Sequence, residues 1–163
     1  MIPKISKILY ATDLSLNAAY AFRYALSSAE KHDAKIDVLY ALPPTGELGF
    51  AEPEIDTKPA KEKIRRRIAK LAEEELQDKP SLIKRVSEIR VIPGDPAVVI
   101  LQAVEDLKPD ILIMGTHSKG AIANTFLGSV AQKVLQRIKI PVYVIPIPDL
   151  PSKYVDWLIQ QNM

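Results

Sequence analysis

An α/β fold built on one parallel sheet of five strands, with helices on both of its faces, is what the sequence predicts from three observations. Short apolar runs alternate with stretches whose apolar residues recur at helical spacing, in the order βαβαβαβαβ. Strands separated by helices pair in parallel through right-handed crossovers, so the helices fall on both sides of the sheet. The run Ile111-Leu-Ile-Met114 breaks into Gly115-Thr-His-Ser-Lys-Gly120, and helical spacing resumes around Gly128-Ser129. A strand that gives way to glycine and small polar residues before a helix presents backbone N–H groups to an anion. A flavodoxin-like or Rossmann-like sheet follows.

The first strand is Ile5 to Thr12, and Ala18, Ala19, Phe22, Ala25, Leu26 and Ala29 form the buried face of the helix after it. Lys35 to Leu42 is the second strand, stopped by Pro43-Pro44. Residues 45 to 58 hold proline, glycine and acidic residues without periodicity and read as a long loop. Ile64, Ile68, Leu71, Ala72 and Leu76 mark a second helix with a charged outer face, and Val86 to Ile92 is the third strand. Asp95 is placed to cap the third helix, with Pro96 at its first position, where a missing N–H costs nothing. Val98, Leu101, Val104 and Leu107 are expected to supply that helix's buried stripe. Ile111 to Met114 is the fourth strand, Leu127, Val130, Ala131, Val134 and Ile138 line the fourth helix, and Val142 to Ile145 is the fifth strand. Pro141 and Pro146 bracket this last strand and favour an edge position for it, since proline cannot donate to a ladder. The expected division is one domain over residues 1–148 and a tail over 149–163, whose Tyr154, Val155, Leu158 and Ile159 suit a short amphipathic helix.

The bulk numbers narrow the function classes. A chain of 163 residues fits one domain with a core of its own. Twenty-two basic against twenty acidic residues leave a formal charge of +2, which offers no strong overall field for nucleic acid or a membrane. The absence of cysteine removes disulfides, thiolate metal sites and thiol nucleophiles, and two separated histidines do not make a common zinc set. With no secretory signal pattern and no long apolar run, the chain is expected to be soluble and cytoplasmic.

Ligands of doubly wound sheets lie at the carboxyl ends of strands, where successive connections leave toward opposite faces. With strand order 3-2-1-4-5 that crevice falls between the first and fourth strands, whose ends are Thr12-Asp13 and Gly115-Thr116. Asp13 is placed to accept hydrogen bonds from a ribose hydroxyl or an adenine amine, and equally to cap the following helix; the roles are compatible. Residues 115–129 are neither a Walker loop, because Lys119 precedes Gly120, nor a dinucleotide fingerprint. Thr116-His-Ser-Lys-Gly120 differs from a hydrolase elbow at one position, but His117 adjoins Ser118 and His32 is remote, so the nucleophile lacks a base. The glycines also admit a reading as turn and packing residues. If the helix begins near Gly128, the amides of Ser129 and Val130 point into the crevice, where phosphate would satisfy them.

With these residues in view, the chain resembles the universal stress protein family over residues 2 to 147. The likeness rests on Ala11-Thr12-Asp13-Leu14-Ser15, on Tyr40-Ala41 and on Gly94-Asp95-Pro96-Ala97. It extends through Gly128-Ser129-Val130-Ala131 to Pro141-Val-Tyr-Val144. The family's nucleotide-binding branch carries Gly-x2-Gly-x9-Gly-(Ser/Thr); here Gly115, Ser118 and Gly128-Ser129 stand at that spacing, with one glycine replaced. The resemblance implies an adenine nucleotide alpha hydrolase-like fold with ATP, or ADP or AMP, across the ends of the first and fourth strands. Asp13 would face ribose and adenine beside Thr12, Ala41 would contact adenine through its backbone, and Gly115, next to Met114, would join Gly128, Ser129 and Val130 around ribose and phosphates. Lys119 either reaches the outer phosphates or stays solvated, and Gly120 lets the loop relax around Ser118. Magnesium or manganese would be held mainly by the phosphates.

The resemblance also implies a homodimer through antiparallel pairing of fifth strands, although the tail is an alternative cover for that edge. The function expected is a nucleotide-dependent regulatory or chaperone-like module in stress response, with no efficient catalysis. The alternatives are a ligand-free dimeric stress protein that has lost nucleotide binding and a slow ATPase. The sequence names no protein partner.

Overall fold

The computed structural model describes residues 1–13, 16–42, 56–75, 79–116 and 127–146. Its elements are β1 (Lys7–Thr12), α1 (Leu16–His32), β2 (Lys35–Leu42), α2 (Lys58–Glu75), a 3₁₀ helix (Pro80–Arg85) and β3 (Val86–Pro93). They continue with α3 (Pro96–Leu107), β4 (Ile111–Gly115), α4 (Ser129–Leu135) and β5 (Val142–Ile145). The strands form one sheet in the order β3-β2-β1-β4-β5, and every ladder is parallel. Most of the loop read over 45–58, the position Leu76 and the helix expected in the tail lie outside the described residues.

Alternation along the strands sorts the core into two layers. Ile8 and Tyr10 of β1, Ile36 and Val38 of β2, and Ile111 and Ile113 of β4 face one side, where Phe22, Leu26 and Ile64 cover them from α1 and α2. Leu9, Leu39, Leu112 and Met114 face the other side, against Ile100 and Val104 of α3 and Val134 of α4. Both faces of β1 and β4 are therefore buried, which is why these strands read as continuous apolar runs rather than alternating ones. Fully buried side chains such as Phe22 and Ile113 each contribute roughly 1.5–3 kcal/mol.

Several boundaries differ from the sequence reading, each for a local reason. Ile5 packs against the first layer without entering the ladder, so β1 begins at Lys7. Leu127 and Ile138 pack on the second layer from just outside α4, which makes that helix shorter than its apolar pattern. The 3₁₀ helix was not anticipated. It starts at Pro80, buries Leu82, and is flanked by ion pairs from Lys79 to Glu30 and from Arg85 to Asp33 at the end of α1. Arg85 holds the Asp33 carboxyl below its usual range through a hydrogen bond and its charge.

One end of the β1–β4 junction is stitched by polar groups. Asp110 Oδ2 accepts the amides of Ser6 and Lys7 at 2.7 and 2.8 Å, while the Asp110 amide donates to the Lys7 carbonyl at 2.8 Å. Lys7 Nζ donates to the Leu107 carbonyl at 3.0 Å and lies 3.5 Å from the buried carboxylate of Asp37. This fixes the order in which β1, β2 and β4 enter the sheet.

The turn into α3 bears out its sequence reading, whereas the expected stripe is displaced: Val98 is 61% exposed, and Ala97, Val99, Ile100 and Ala103 join Val104 as the buried residues. Asp95 Oδ1 accepts the amides of Ala97 and Val98 at 3.1 and 3.2 Å, with Pro96 at the first helical position. Gly94 has φ +142, and a Cβ there would stand 2.9 Å from Val99 Cγ2. Its amide donates to the Leu42 carbonyl at 2.9 Å, tying the end of β2 to the start of α3. Gly94→Ala is expected to cost about 1–3 kcal/mol of stability from backbone strain alone. Asp95→Ala should cost about 1 kcal/mol through loss of the cap. Urea unfolding of the two variants checks both the sizes and their order.

Candidate functional site

Beyond its stitched end the junction of β1 with β4 opens. Their ladder runs from Ile8–Ile111 to Tyr10–Ile113 and ends there. β1 nevertheless stays paired with β2 as far as Thr12–Tyr40, and β4 with β5 as far as Gly115–Ile145. The last residues of the two central strands thus belong to separate halves of the sheet. α1 packs on the first layer and α4 on the second, so the chain leaves β1 and β4 toward opposite faces. This is the topological switch at which doubly wound sheets take ligands.

The lips of this crevice carry residues singled out from sequence. Thr12 and Asp13 end β1 half-buried. Met114 is buried in the second layer, Gly115 is half-buried, and Ala41 lies buried at the same end of β2. Gly128 is buried, Val130 half-buried and Ser129 exposed at the start of α4. Ser118, Lys119 and Gly120 lie outside the described residues, as does His117.

A double clamp joins β4 to α4. The Thr116 amide donates to the Ile145 carbonyl at 3.1 Å, and the Thr116 carbonyl accepts the Gly128 amide at 2.6 Å. The chain that leaves β4 is thereby returned to the strand's own end. Gly128 is the N-cap of α4 in extended conformation, φ −62 and ψ 158, and supplies no side-chain cap. Gln132 braces the turn, its amide donating to Gly128 at 3.0 Å and its Nε2 to the Leu127 carbonyl at 3.1 Å. Gly128 spends its N–H on Thr116, while the first-turn amides of Ser129 and Val130 have no carbonyl four residues back within the helix. With only seven residues, α4 offers individual amides more than a large dipole.

Sequence reasoning overlooked Tyr10. Burial pushes its phenol far above the usual range; the hydrogen bond with the Thr12 side chain opposes this, and the Asp13 carboxylate adds to it. The ring packs on Phe22 at a centroid distance of 5.2 Å. Tyr10 therefore supports the crevice lip from below, where it is electrostatically aware of Asp13. The available signal was its position two residues before Thr12 on the same strand face. The Thr116 carbonyl and Gln132 were also missed, because clamping and bracing leave no pattern in composition. Among the described residues, no group of three or more His, Cys, Asp or Glu side chains converges on a metal-sized site. Nor, among them, is any helix long and apolar enough to cross a membrane.

Residues 4–146 match the profile of the universal stress protein family. The chain belongs to that family. A universal stress protein of Thermus aquaticus is 32% identical over 140 residues, spanning 85% of this chain and 96% of its relative. Among solved structures, a universal stress protein in complex with cAMP superposes with a TM-score of 0.58 at 20% identity, covering 88% of this chain and 98% of the other. A universal stress protein family protein of Arabidopsis thaliana with AMP bound gives a TM-score of 0.54 at 24% identity, with 92% and 98% covered. The five-stranded sheet in the order 3-2-1-4-5 is thus the family's architecture in this chain.

The state of Tyr10 sets a pH dependence. The folded phenol stays neutral where an unfolded one ionises, near about pH 10. Its folded value is raised, so the associated stability is intact below about pH 10 and is lost as pH climbs above it. Tyr10→Phe is expected to flatten that alkaline decline while changing stability at neutral pH by about 1 kcal/mol. Urea unfolding of both proteins at about pH 8 and about pH 11 reads the difference.

Proposed function

We propose that this universal stress protein binds an adenine nucleotide, ATP before ADP or AMP, in the crevice between β1 and β4, and acts as a nucleotide-dependent regulatory or chaperone-like module in the cytoplasm. The observation that carries this reading is the divergence of β1 from β4 after Tyr10–Ile113, with Asp13 on one lip and Gly115 and the α4 amides on the other. It is supported by the family members solved with cAMP and with AMP.

In this reading the Asp13 carboxylate accepts from ribose hydroxyls or the adenine amine, beside Thr12, and the backbone at Ala41 meets the base. Met114 underlies the base's end of the cleft as a buried apolar floor. Gly115 keeps the β4 lip free of a side chain, so that ribose and phosphates approach the amides of Ser129 and Val130. Gly128 contributes by shape, its own amide being committed to Thr116. Lys119 and Gly120 belong to the segment that would wrap the outer phosphates. Magnesium or manganese would ride on the phosphates, which hold such ions with few protein ligands. In this reading turnover is at most slow hydrolysis, since the sequence offers Ser118 no histidine beyond the adjacent His117 and the distant His32.

Isothermal titration with ATP and Mg²⁺ at up to millimolar concentration tests the proposal. Asp13→Ala should weaken binding by about tenfold or more, the worth of a hydrogen bond to a charged group. An absence of binding at those concentrations would sink the reading and favour a ligand-free protein. Ser118 is the residue that raises this alternative, since it stands where the family's binding branch has glycine. A serine held in a left-handed conformation costs ~1–2 kcal/mol. Ser118→Gly is therefore expected to tighten ATP by about tenfold, whereas a protein without a pocket would be indifferent.

We further propose a homodimer through antiparallel pairing of β5 strands. β5 pairs only with β4 among the described residues and stands at the sheet edge, with Tyr143 40% exposed. An open strand edge is a template for another strand. Sedimentation at micromolar concentration should show a species of twice 18.1 kDa. Val144→Pro should shift it to the monomer, and a native protein that sediments only as a monomer would refute the pairing.

A further inference from the structure

The positive charge of this protein is not spread over its surface. Residues 58–70 of α2 hold seven basic side chains and one acidic one, Glu62, in a chain whose formal charge is only +2. The rest of the molecule is consequently net acidic. On α2, Ile64 and Ile68 are buried against the sheet, while Lys58, Lys63, Arg66 and Lys70 are exposed. These four, with the half-buried Arg67 and with Glu62, line a hollow of about 620 Å³.

The spacing from Lys63 to Arg66 to Lys70 places cations on successive helical turns of one stripe. From Lys58 to Lys70 the stripe spans about 18 Å at the helical rise. Among the described residues, Lys58, Lys63, Arg66 and Lys70 form no ion pair. Like charges held side by side repel one another, and an external anion would relieve that repulsion.

We propose that this stripe is a docking surface for a short acidic segment of a protein partner. Charge complementarity selects an anionic occupant, and the length and lining of the stripe select its kind. Among the described residues the lining contains no aromatic ring on which an unpaired base could stack, the usual sequence-tolerant grip on single strands. A peptide carrying carboxylates over a few turns' length matches the stripe from Lys58 to Lys70. The surface is formed by a different helix from the nucleotide crevice, so the inference does not depend on nucleotide binding.

The test uses the full chain without added nucleotide, and a fluorescein-labelled peptide of alternating glutamate and serine, about a dozen residues long. Anisotropy should show binding that weakens steeply as sodium chloride rises past physiological ionic strength, as for exposed charges screened over a Debye length of about 8 Å. Lys63→Glu combined with Arg66→Glu should weaken it at least tenfold, and the pair Lys63→Gln and Arg66→Gln by less. Lys31→Glu combined with Lys139→Glu, which changes the same charge elsewhere, should leave it within about twofold. Circular dichroism confirms that each variant is folded. Equal loss from the two charge-reversed pairs would show only a net-charge effect and overturn the proposal. Displacement of the peptide by ATP, or tighter binding of a single-stranded oligonucleotide or of phosphatidylserine vesicles through the same residues, would overturn it as well.

Discussion

Everything that makes this fold useful depends on how β1 meets β4. At one end Asp110 takes two amides from the start of β1 and returns its own to the Lys7 carbonyl, while the Lys7 ammonium reaches the Leu107 carbonyl and the Asp37 carboxylate. At the other end the same two strands part after Tyr10 and Ile113 and follow their outer neighbours. A sheet whose central seam is fastened at the bottom and divided at the top carries its crevice within the sheet itself. Burial of both faces along Ile8, Leu9, Ile111, Leu112 and Ile113 keeps that seam from shifting register, because a slip by one residue would exchange the two core layers.

The chemistry of the cleft follows from its walls. One wall ends in a carboxylate, supported by a buried phenol and a threonine, and the other in glycine and helix-start amides. An acceptor facing donors suits a ligand that is itself divided into a hydroxyl-bearing part and an anionic part. Universal stress proteins solved with cAMP and with AMP carry ligands of that divided kind themselves.

The sheet was legible in the sequence because its information is local. Continuous apolar runs at Lys35–Leu42 and Ile111–Gly115 announced buried parallel strands, and Gly94-Asp95-Pro96 announced a capped helix whose geometry is fully realised. Pro141 and Pro146 located the edge strand by the donors they lack. Less legible were features that arise only when distant residues meet. The 3₁₀ helix after Lys79 has too few residues for a period, the Asp110 stitch joins positions more than a hundred residues apart, and Tyr10 looked like one more apolar strand residue. In the crevice, Asp13, Gly115 and Gly128 could be named from motif and strand order, whereas the commitment of the Gly128 amide to Thr116 could not.

That single bond between Thr116 and Gly128 has an evolutionary corollary. Because the scaffold itself brings residues 116 and 128 together, a change in the length of the stretch between them should cost folding little, doubling a loop adding only about 0.6 kcal/mol. Affinity for a ligand can be retuned, or surrendered, by descendants that inherit an unchanged sheet.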